Sequence, residues 1–450
     1  MLQRKAYEHL VKWKNTTDKK ALLITGARQI GKTYIIRKFA EENYSNFIEI
    51  NFITNPDAVK IFNGDLNAET ILINLTAYTQ KPLVKGDTLI FFDEIQECPS
   101  ARTAIKFLVD DGQFDYIESG SLLGVRYKEV KSYPVGYEEN YRMYPLDFEE
   151  FATANGIQPQ TIEYLKKCYD NKETVTEAVH QSMLKLFQYY IIVGGMPAVV
   201  QKFVDTKDIG EVLKIQKDIL DLYRQDISKY SDNNKEKIKS IFDLIPAQLN
   251  DRNRRFTLSD IKNSARMLRY ETSFNWLADA GVALPCYNIT EPVLPLELNL
   301  QNNLFKLFLC DTGLLCAASM GNIQFDILSG DLSVNMGSIL ENVFAQELVS
   351  NGFLLRYFNK KNIGEIDFIV QKGKSAVPIE IKSGNDYTKH KALDNLIAKQ
   401  SWNINSGIVF CKGNLEIENG ITYYPWYMSM FFKQETLPEH LKVNVDIVNI

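Results

Sequence analysis

The sequence predicts an α/β protein of several domains, organised by a parallel sheet near its start. Three observations carry this. An apolar run, Ala21 to Ile24, leads directly into Gly26-Ala-Arg-Gln-Ile-Gly-Lys-Thr33, and a helical pattern follows from Tyr34 to about Glu42. Strand-like and helix-like segments then alternate, and strands such as Thr88-Leu-Ile-Phe-Phe92 are apolar throughout, as strands covered on both faces are. At 450 residues the chain is also too long for one hydrophobic core, so two to four domains are expected.

The first element, residues 4 to 13, reads as a short amphipathic helix packing on the first strand. The next stretch is the most informative. Gly26, Ala27, Arg28, Gln29, Ile30, Gly31, Lys32 and Thr33 spell G-x-x-x-x-G-K-[ST] between a strand and a helix, the context that gives this spacing its meaning. Glycines let the backbone turn tightly, so that successive N–H groups and a helix N-terminus face an anion. Lys32 is then placed for the β- and γ-phosphates of ATP, and the Thr33 hydroxyl for Mg²⁺. A ligand-free strand–helix turn is the alternative, and the flanking elements argue against it.

A second strand is expected at Phe47 to Phe52, and a helix with apolar spacing at Ile71, Leu72, Leu75 and Tyr78. The strand Thr88–Phe92 ends in Asp93-Glu94. A carboxylate at the carboxyl end of a buried strand lies where such sheets bind ligands. Asp93 is a candidate for holding Mg²⁺, and Glu94 for orienting or deprotonating water. Alone, two acids starting a loop are commonplace; beside the loop they form a set. A further strand, Phe114 to Glu118, ends in Ser119-Gly-Ser121. Ser119 and Ser121 fit either a contact to the γ-phosphate or attacking water, or an N-cap. No single arginine stands out for stabilising transferred charge. Arg28, Arg102, Arg126 and Arg142 are candidates, as is an arginine from a second copy in a homo-oligomer.

Composition narrows the class. Apolar content of 45% and charged content of 24% are ordinary for a soluble globular chain. A net charge of −5 argues against uniform coating of nucleic acid, though not against a local basic face. The six cysteines show no C-x-x-C pair and the four histidines no zinc-ligand spacing, so a reduced, cytoplasmic setting is expected. The first residues lack the apolar run of a signal peptide. The most apolar segment, Tyr189 to Val200, is interrupted by Gly194, Gly195 and Pro197 and is too short for a membrane span.

From Pro145 to about Tyr230 the pattern is helical. Gly194-Gly-Met-Pro197 reads as a structural turn, and Tyr223, Arg224 and Asp226 lie on a helix able to abut the nucleotide domain as a lid. Beyond a polar break at Ser231 to Lys235, three short helices and an extended segment from Val282 suggest a winged helix. Arg252, Arg254, Arg255, Lys262, Arg266 and Arg269 fall in it, a basic face open to three readings: contact with DNA phosphates, docking on an acidic neighbour, or a solvated surface.

The remainder reads as a strand at Lys306 to Cys310, a turn at Asp311-Thr-Gly313 and a helix from Ser338 to Ser350. Strands at Leu354–Phe358, Glu365–Val370 and Ala376–Lys382 follow, then a helix near Lys391–Lys399 and a strand at Gly407–Phe410. Alternation puts Glu380 and Lys382 on one side of their strand. This order, with Asp367 and Glu380-x-Lys382, resembles the PD-(D/E)xK nuclease core. The resemblance implies that Glu341, Asp367 and Glu380 hold Mg²⁺ and that Lys382 positions water or stabilises the pentavalent phosphate. Many chains keep such a fold for binding or scaffolding alone.

Gly26–Thr33, Phe92-Asp-Glu-Ile-Gln96, Ser119–Gly124 and Tyr144-Pro-Leu-Asp-Phe-Glu-Glu-Phe151 together resemble the AAA-type ATPases of bacteria and archaea whose carboxy-terminal half is a domain of unknown function. Gly194–Pro197, Asp311–Leu315, Glu365-Ile-Asp-Phe and Glu380-Ile-Lys-Ser-Gly extend the likeness along nearly the whole chain. It implies ATP binding and hydrolysis and a nuclease-like end. The expected layout is a P-loop parallel-sheet ATPase domain over residues 1–150, a helical lid over 151–232, a winged-helix-like module over 233–292 and an α/β restriction-endonuclease-like domain over 293–450. Two functions follow: an ATP-driven enzyme acting on DNA, or a nucleotide-controlled switch whose nuclease-like domain is inactive. A kinase is weaker, because no acceptor-substrate signature is present.

Overall fold

The computed structural model describes residues 2–120, 134–230, 234–251, 255–257, 270–319 and 336–435. Ser121, Arg126, Arg252, Arg254, Lys262, Arg266 and Arg269 lie outside the described residues, as does the expected helix after Thr257.

The first sheet holds β1 (Ala21–Thr25), β2 (Asn46–Asn51), β3 (Thr88–Asp93), β4 (Asp115–Ser119) and β5 (Glu138–Arg142) in the order β2-β3-β4-β1-β5. Every pairing in it is parallel. Side chains alternate between its faces. Leu22, Ile24, Leu89, Phe91 and Ile117 face a core shared with α1 (Lys5–Lys14) and α2 (Lys32–Asn43). Ala21, Leu23, Ile90, Phe92 and Tyr116 face a second core with α3 (Ala68–Thr79) and α4 (Pro99–Asp111). Both faces are therefore covered, as the uninterrupted apolar strands require. β4 lies between β1 and β3, which brings its last residue, Ser119, between the phosphate loop and Asp93.

Five helices follow: α5 (Phe148–Ala154), α6 (Pro159–Asn171), α7 (Glu177–Val193), α8 (Pro197–Thr206) and α9 (Ile209–Tyr230). Asp147 caps α5 through a reciprocal pair with Glu150, and prolines open α6 and α8 at the position where a missing N–H is harmless. α10 (Lys235–Asn250) and α11 (Glu271–Asp279) come next.

The expected line between residues 292 and 293 runs through a sheet. β6 (Ala283–Ile289) pairs antiparallel with β7 (Leu300–Leu309) and parallel with β8 (Arg356–Lys360), which pairs in turn with β9 (Gly364–Ile366). The segment Asp311–Gly313 leads into a helix, α12 (Thr312–Ser319), rather than forming a turn alone. Helix α13 (Met336–Ser350) then packs beneath the last sheet, β10 (Phe368–Lys372), β11 (Ser375–Ile381), β12 (Gly407–Cys411), β13 (Glu416–Glu418) and β14 (Ile421–Pro425). Its order is β10-β11-β12-β14-β13, with α14 (Lys391–Ile397) connecting β11 to β12.

The strand expected over Glu365–Val370 is two strands. Its first part pairs with β8 and its second with β11, so the chain changes sheet at Asp367. Bends of this kind make the corners between sheets. One apolar core runs from the first sheet through α5 and α7 into the last sheet, by way of Phe148, Phe187, Phe344 and Trp426.

Candidate nucleotide site

The loop between β1 and α2 is shaped by contacts that admit no side chain. Gly26 has φ +134°, and a Cβ there would run into the Met143 carbonyl oxygen. Gly31 caps α2 with φ +87°. Both angles lie where only glycine is at ease. Gln29 shares the left-handed region at φ +65° without being glycine. On the outside, Gly281 packs against Ala27, and the Ile30 carbonyl accepts Arg4 Nη1 at 3.1 Å. Arg4 also donates to Tyr144 O at 2.7 Å and to Glu150 at 3.1 Å. Sequence reading gave Arg4 no part in this, since its partners lie up to 146 residues away.

Lys32 is buried, and its ammonium donates to the loop carbonyls of Gly26 at 2.9 Å and Ala27 at 2.8 Å. Desolvation depresses its pKa to about 8, against the pull of Glu94 and Asp93. Charge in that position is costly until an anion arrives.

Asp93 collects the neighbouring strand ends. Its Oδ2 accepts Thr33 Oγ1 at 3.0 Å and Asn51 Nδ2 at 2.9 Å, and its Oδ1 accepts the Ser119 hydroxyl. Asn51 was missed in the sequence; the signal was a polar residue ending the strand in register with Asp93. A carboxylate beside a hydroxyl is a donor set that suits a hard divalent ion such as Mg²⁺. Glu94 stands in the left-handed region at φ +53°, and its Oε2 accepts Gln96 Nε2 at 2.5 Å. Such strain is characteristic of functional positions.

Helix α9, expected to serve as a lid, touches the loop. Arg28 forms an ion pair with Asp226, and Tyr223 donates its hydroxyl to Arg28 O at 3.0 Å. The other arginine candidates differ in availability. Arg102 is buried between Glu118 at 3.3 Å and Glu138 at 2.8 Å, which removes it from the site. Arg142 is exposed and donates to Ala278 O at 2.9 Å.

At the other end of the chain, Asp367, Glu380 and Lys382 lie near one another, while Glu341 pairs with Lys306. Glu341 lies 3.0 Å from Lys306, which also reaches Glu365 at 2.7 Å. Asp367 Oδ2 accepts the Ile381 N–H at 2.8 Å at the sheet corner. Glu380 and Lys382 do share a side, and pair with each other at 2.6 Å. Among the described residues no group of three or more His, Cys, Asp or Glu is placed to hold a metal ion. Glu341 is diverted because Lys306, read only as the head of an apolar strand, is a fully buried cation that needs counter-charge.

Residues 18–152 match an AAA domain. That span contains the parallel sheet, the phosphate loop, Asp93-Glu94 and Ser119, so this part of the chain has the fold of an AAA-type P-loop ATPase. Residues 184–324 and 336–428 match two families described only as domains of unknown function. No curated protein matches the chain. Among solved structures, the Walker-type ATPase PABY2304 of Pyrococcus abyssi is 14% identical, covering 71% of this chain and 96% of its own, with a TM-score of 0.41. The Aeropyrum pernix ORC1 protein in complex with DNA is 13% identical over 74% of this chain and 93% of its own, with a TM-score of 0.28. The RuvB Holliday junction branch migration motor of Thermotoga maritima is 14% identical over 63% of this chain and 89% of its own, with a TM-score of 0.30. Likenesses this distant carry no argument about activity. No helix among the described residues is long and apolar enough to cross a membrane.

Proposed function

We propose that this chain is a Mg²⁺-dependent ATPase of the AAA type, working as a nucleotide-controlled switch on its carboxy-terminal half. The observation that carries it is Asp93, held between Thr33, Asn51 and Ser119 at the mouth of the sheet, directly before Glu94. In this reading the amides of residues 26–31 cradle the phosphates and Lys32 turns from its two carbonyls to the β- and γ-phosphates. Thr33 and Asp93 would hold Mg²⁺, which neutralises charge on the transferred phosphoryl group. Glu94 orients the attacking water and takes its proton, and Ser119 keeps Asp93 aligned.

Calorimetry and a phosphate-release assay test it. Lys32→Ala should abolish nucleotide binding, and Glu94→Gln should bind ATP yet turn it over at least about a hundredfold more slowly. Wild-type turnover in Glu94→Gln would refute the assignment.

The switch is preferred to DNA cutting because Glu341 pairs with the buried Lys306, and among the described residues no three acids are grouped to hold a metal ion. Incubation with plasmid DNA and Mg²⁺ or Mn²⁺, with and without ATP, should leave the DNA intact. Cleavage that disappears in Asp367→Ala would reverse this preference and restore the Glu341, Asp367, Glu380 and Lys382 site.

A further inference from the structure

Arg28 belongs to the phosphate loop, yet its guanidinium is paired across to Asp226, 198 residues later on α9. One turn earlier on that helix, Tyr223 donates to the carbonyl of the same loop residue at 3.0 Å. The lid thus holds one loop residue by both its side chain and its backbone. Asp226 is largely buried; desolvation raises its pKa, Arg28 pulls it down and Glu94 pushes it up. Lys32 in turn feels Glu94, Asp93 and Arg28. Arg28, Lys32, Asp93, Glu94 and Asp226, with Lys229 beside the last, therefore form one electrostatic cluster at the loop.

We infer that Arg28 reads the third phosphate of the nucleotide, and that Asp226 competes with that phosphate for it. This rests on the reading of the loop as a nucleotide site. A diphosphate is accommodated by the backbone cradle and leaves Arg28 on Asp226. A triphosphate brings further negative charge against Glu94 and Asp226, two carboxylates that already disfavour it. The guanidinium forks onto phosphate as readily as onto carboxylate, so its transfer removes the conflict. Once Arg28 leaves, Asp226 has lost the larger of two cationic influences, Lys229 exerting the smaller, while the Tyr223 hydroxyl still ties α9 to the loop. The lid is then free to move, and the shift is driven by the difference in affinity between the two nucleotides.

The test is calorimetric titration of the full chain with ATP and with ADP, Mg²⁺ present, in wild type, Asp226→Asn, Arg28→Ala and Arg28→Lys. ADP affinity is the folding control for each variant. Asp226→Asn should tighten ATP about fivefold or more while leaving ADP unchanged. Arg28→Ala should lose the preference for ATP over ADP, and Arg28→Lys should recover part of it. Amide exchange in α9 should be faster with ATP than with ADP in wild type, and equal in Arg28→Ala. Wild type that binds ATP, with equal ATP affinity in Asp226→Asn, overturns the inference and leaves the nucleotide site standing. Wild type that binds neither nucleotide removes the loop reading, and this inference with it.

Discussion

Asp311 accepts the backbone N–H of Gly195 at 2.6 Å through Oδ2, and that of Leu314 at 2.9 Å through Oδ1. Two sequence motifs 116 residues apart are therefore one structural knot. No side chain fits at its glycines: a Cβ on Gly194 would meet Asp311 Oδ1, and one on Gly313 the Val193 carbonyl. Gly195 O accepts Leu146 N at 2.7 Å, and Pro197, two residues on, packs beside Gly31 of the phosphate loop. Asp311, the turn between α7 and α8 and Leu146 are thus joined by buried hydrogen bonds, and Pro197 carries the contact to the loop. Asp311→Ala strands the two N–H donors, at a cost of about 1–3 kcal/mol each. Its urea midpoint should fall clearly below wild type, with Asp311→Asn between the two; equal midpoints for Ala and wild type would contradict the knot.

Glu347 is fully buried beside it, accepting Phe148 N and Tyr190 Oη at 2.9 Å each, while its Oε2 has no hydrogen-bond partner among the described residues. Desolvation, reinforced by Asp147, pushes its pKa up to about 8 from 4.5. Between those values the folded chain keeps a proton that the unfolded chain has released, so this group's contribution to stability falls as pH rises through that window. Glu347→Gln replaces the neutral acid with an amide of the same shape that cannot ionise. The variant should gain on wild type steadily from pH 5 to pH 8, read as the difference in denaturation midpoints. A difference that does not change with pH would show that Glu347 is ionised in the fold.

What was legible in the sequence was local. The stretch Gly26–Thr33 declares itself because the glycines, the lysine and the helix it opens are contiguous. Apart from the break at Asp367, the elements from Arg356 to Cys411 follow expectation because each is a short run with its own apolar pattern. The break at Asp367 was hidden: Ile366 and Phe368 are both fully buried, so the hydrophobic pattern continues across a change of sheet. Asn51, Arg4 and the Arg28–Asp226 pair depend on register or on distant partners, which no window of sequence contains. The winged-helix expectation failed to anticipate that β6 joins two strands beyond its boundary, because pairing partners are chosen by tertiary packing.

Lys306 offers a sharper test of the carboxy-terminal half. It is fully buried, bridges Glu341 and Glu365, and lies 5.1 Å from the centre of the Tyr357 ring. Removing only the cation takes from the enclosed Glu341 the ammonium 3.0 Å away, and breaking a buried pair on one side costs about 3–5 kcal/mol. Lys306→Met should therefore unfold at much lower urea than wild type, and adding Glu341→Leu should recover most of the loss. If Lys306→Met were as stable as wild type, this pair would not be structural, and a functional role for Glu341 would regain its force.

The Lys32 ammonium yields a prediction whose sign differs between folding and binding. Its pKa in the free protein is depressed to about 8, from 10.5. From pH 8 to 10.5 the unfolded chain holds a proton that the folded chain has released, so this group's share of the stability rises with pH across that window. Phosphate binding needs the cation, and therefore goes the other way. Above pH 8 the site must first take up a proton, and ATP affinity should weaken by about tenfold per pH unit until the bound lysine itself titrates. Below pH 7 the lysine is charged in both states and its effect on affinity should flatten. Calorimetric Kd values at pH 7, 8 and 9 in constant ionic strength would display this, and proton uptake at pH 9 would appear as a buffer-dependent binding enthalpy. An affinity that is level from pH 7 to 9 would mean that the lysine reaches the phosphates already charged, and that the loop desolvates it far less than its contacts with Gly26 and Ala27 imply.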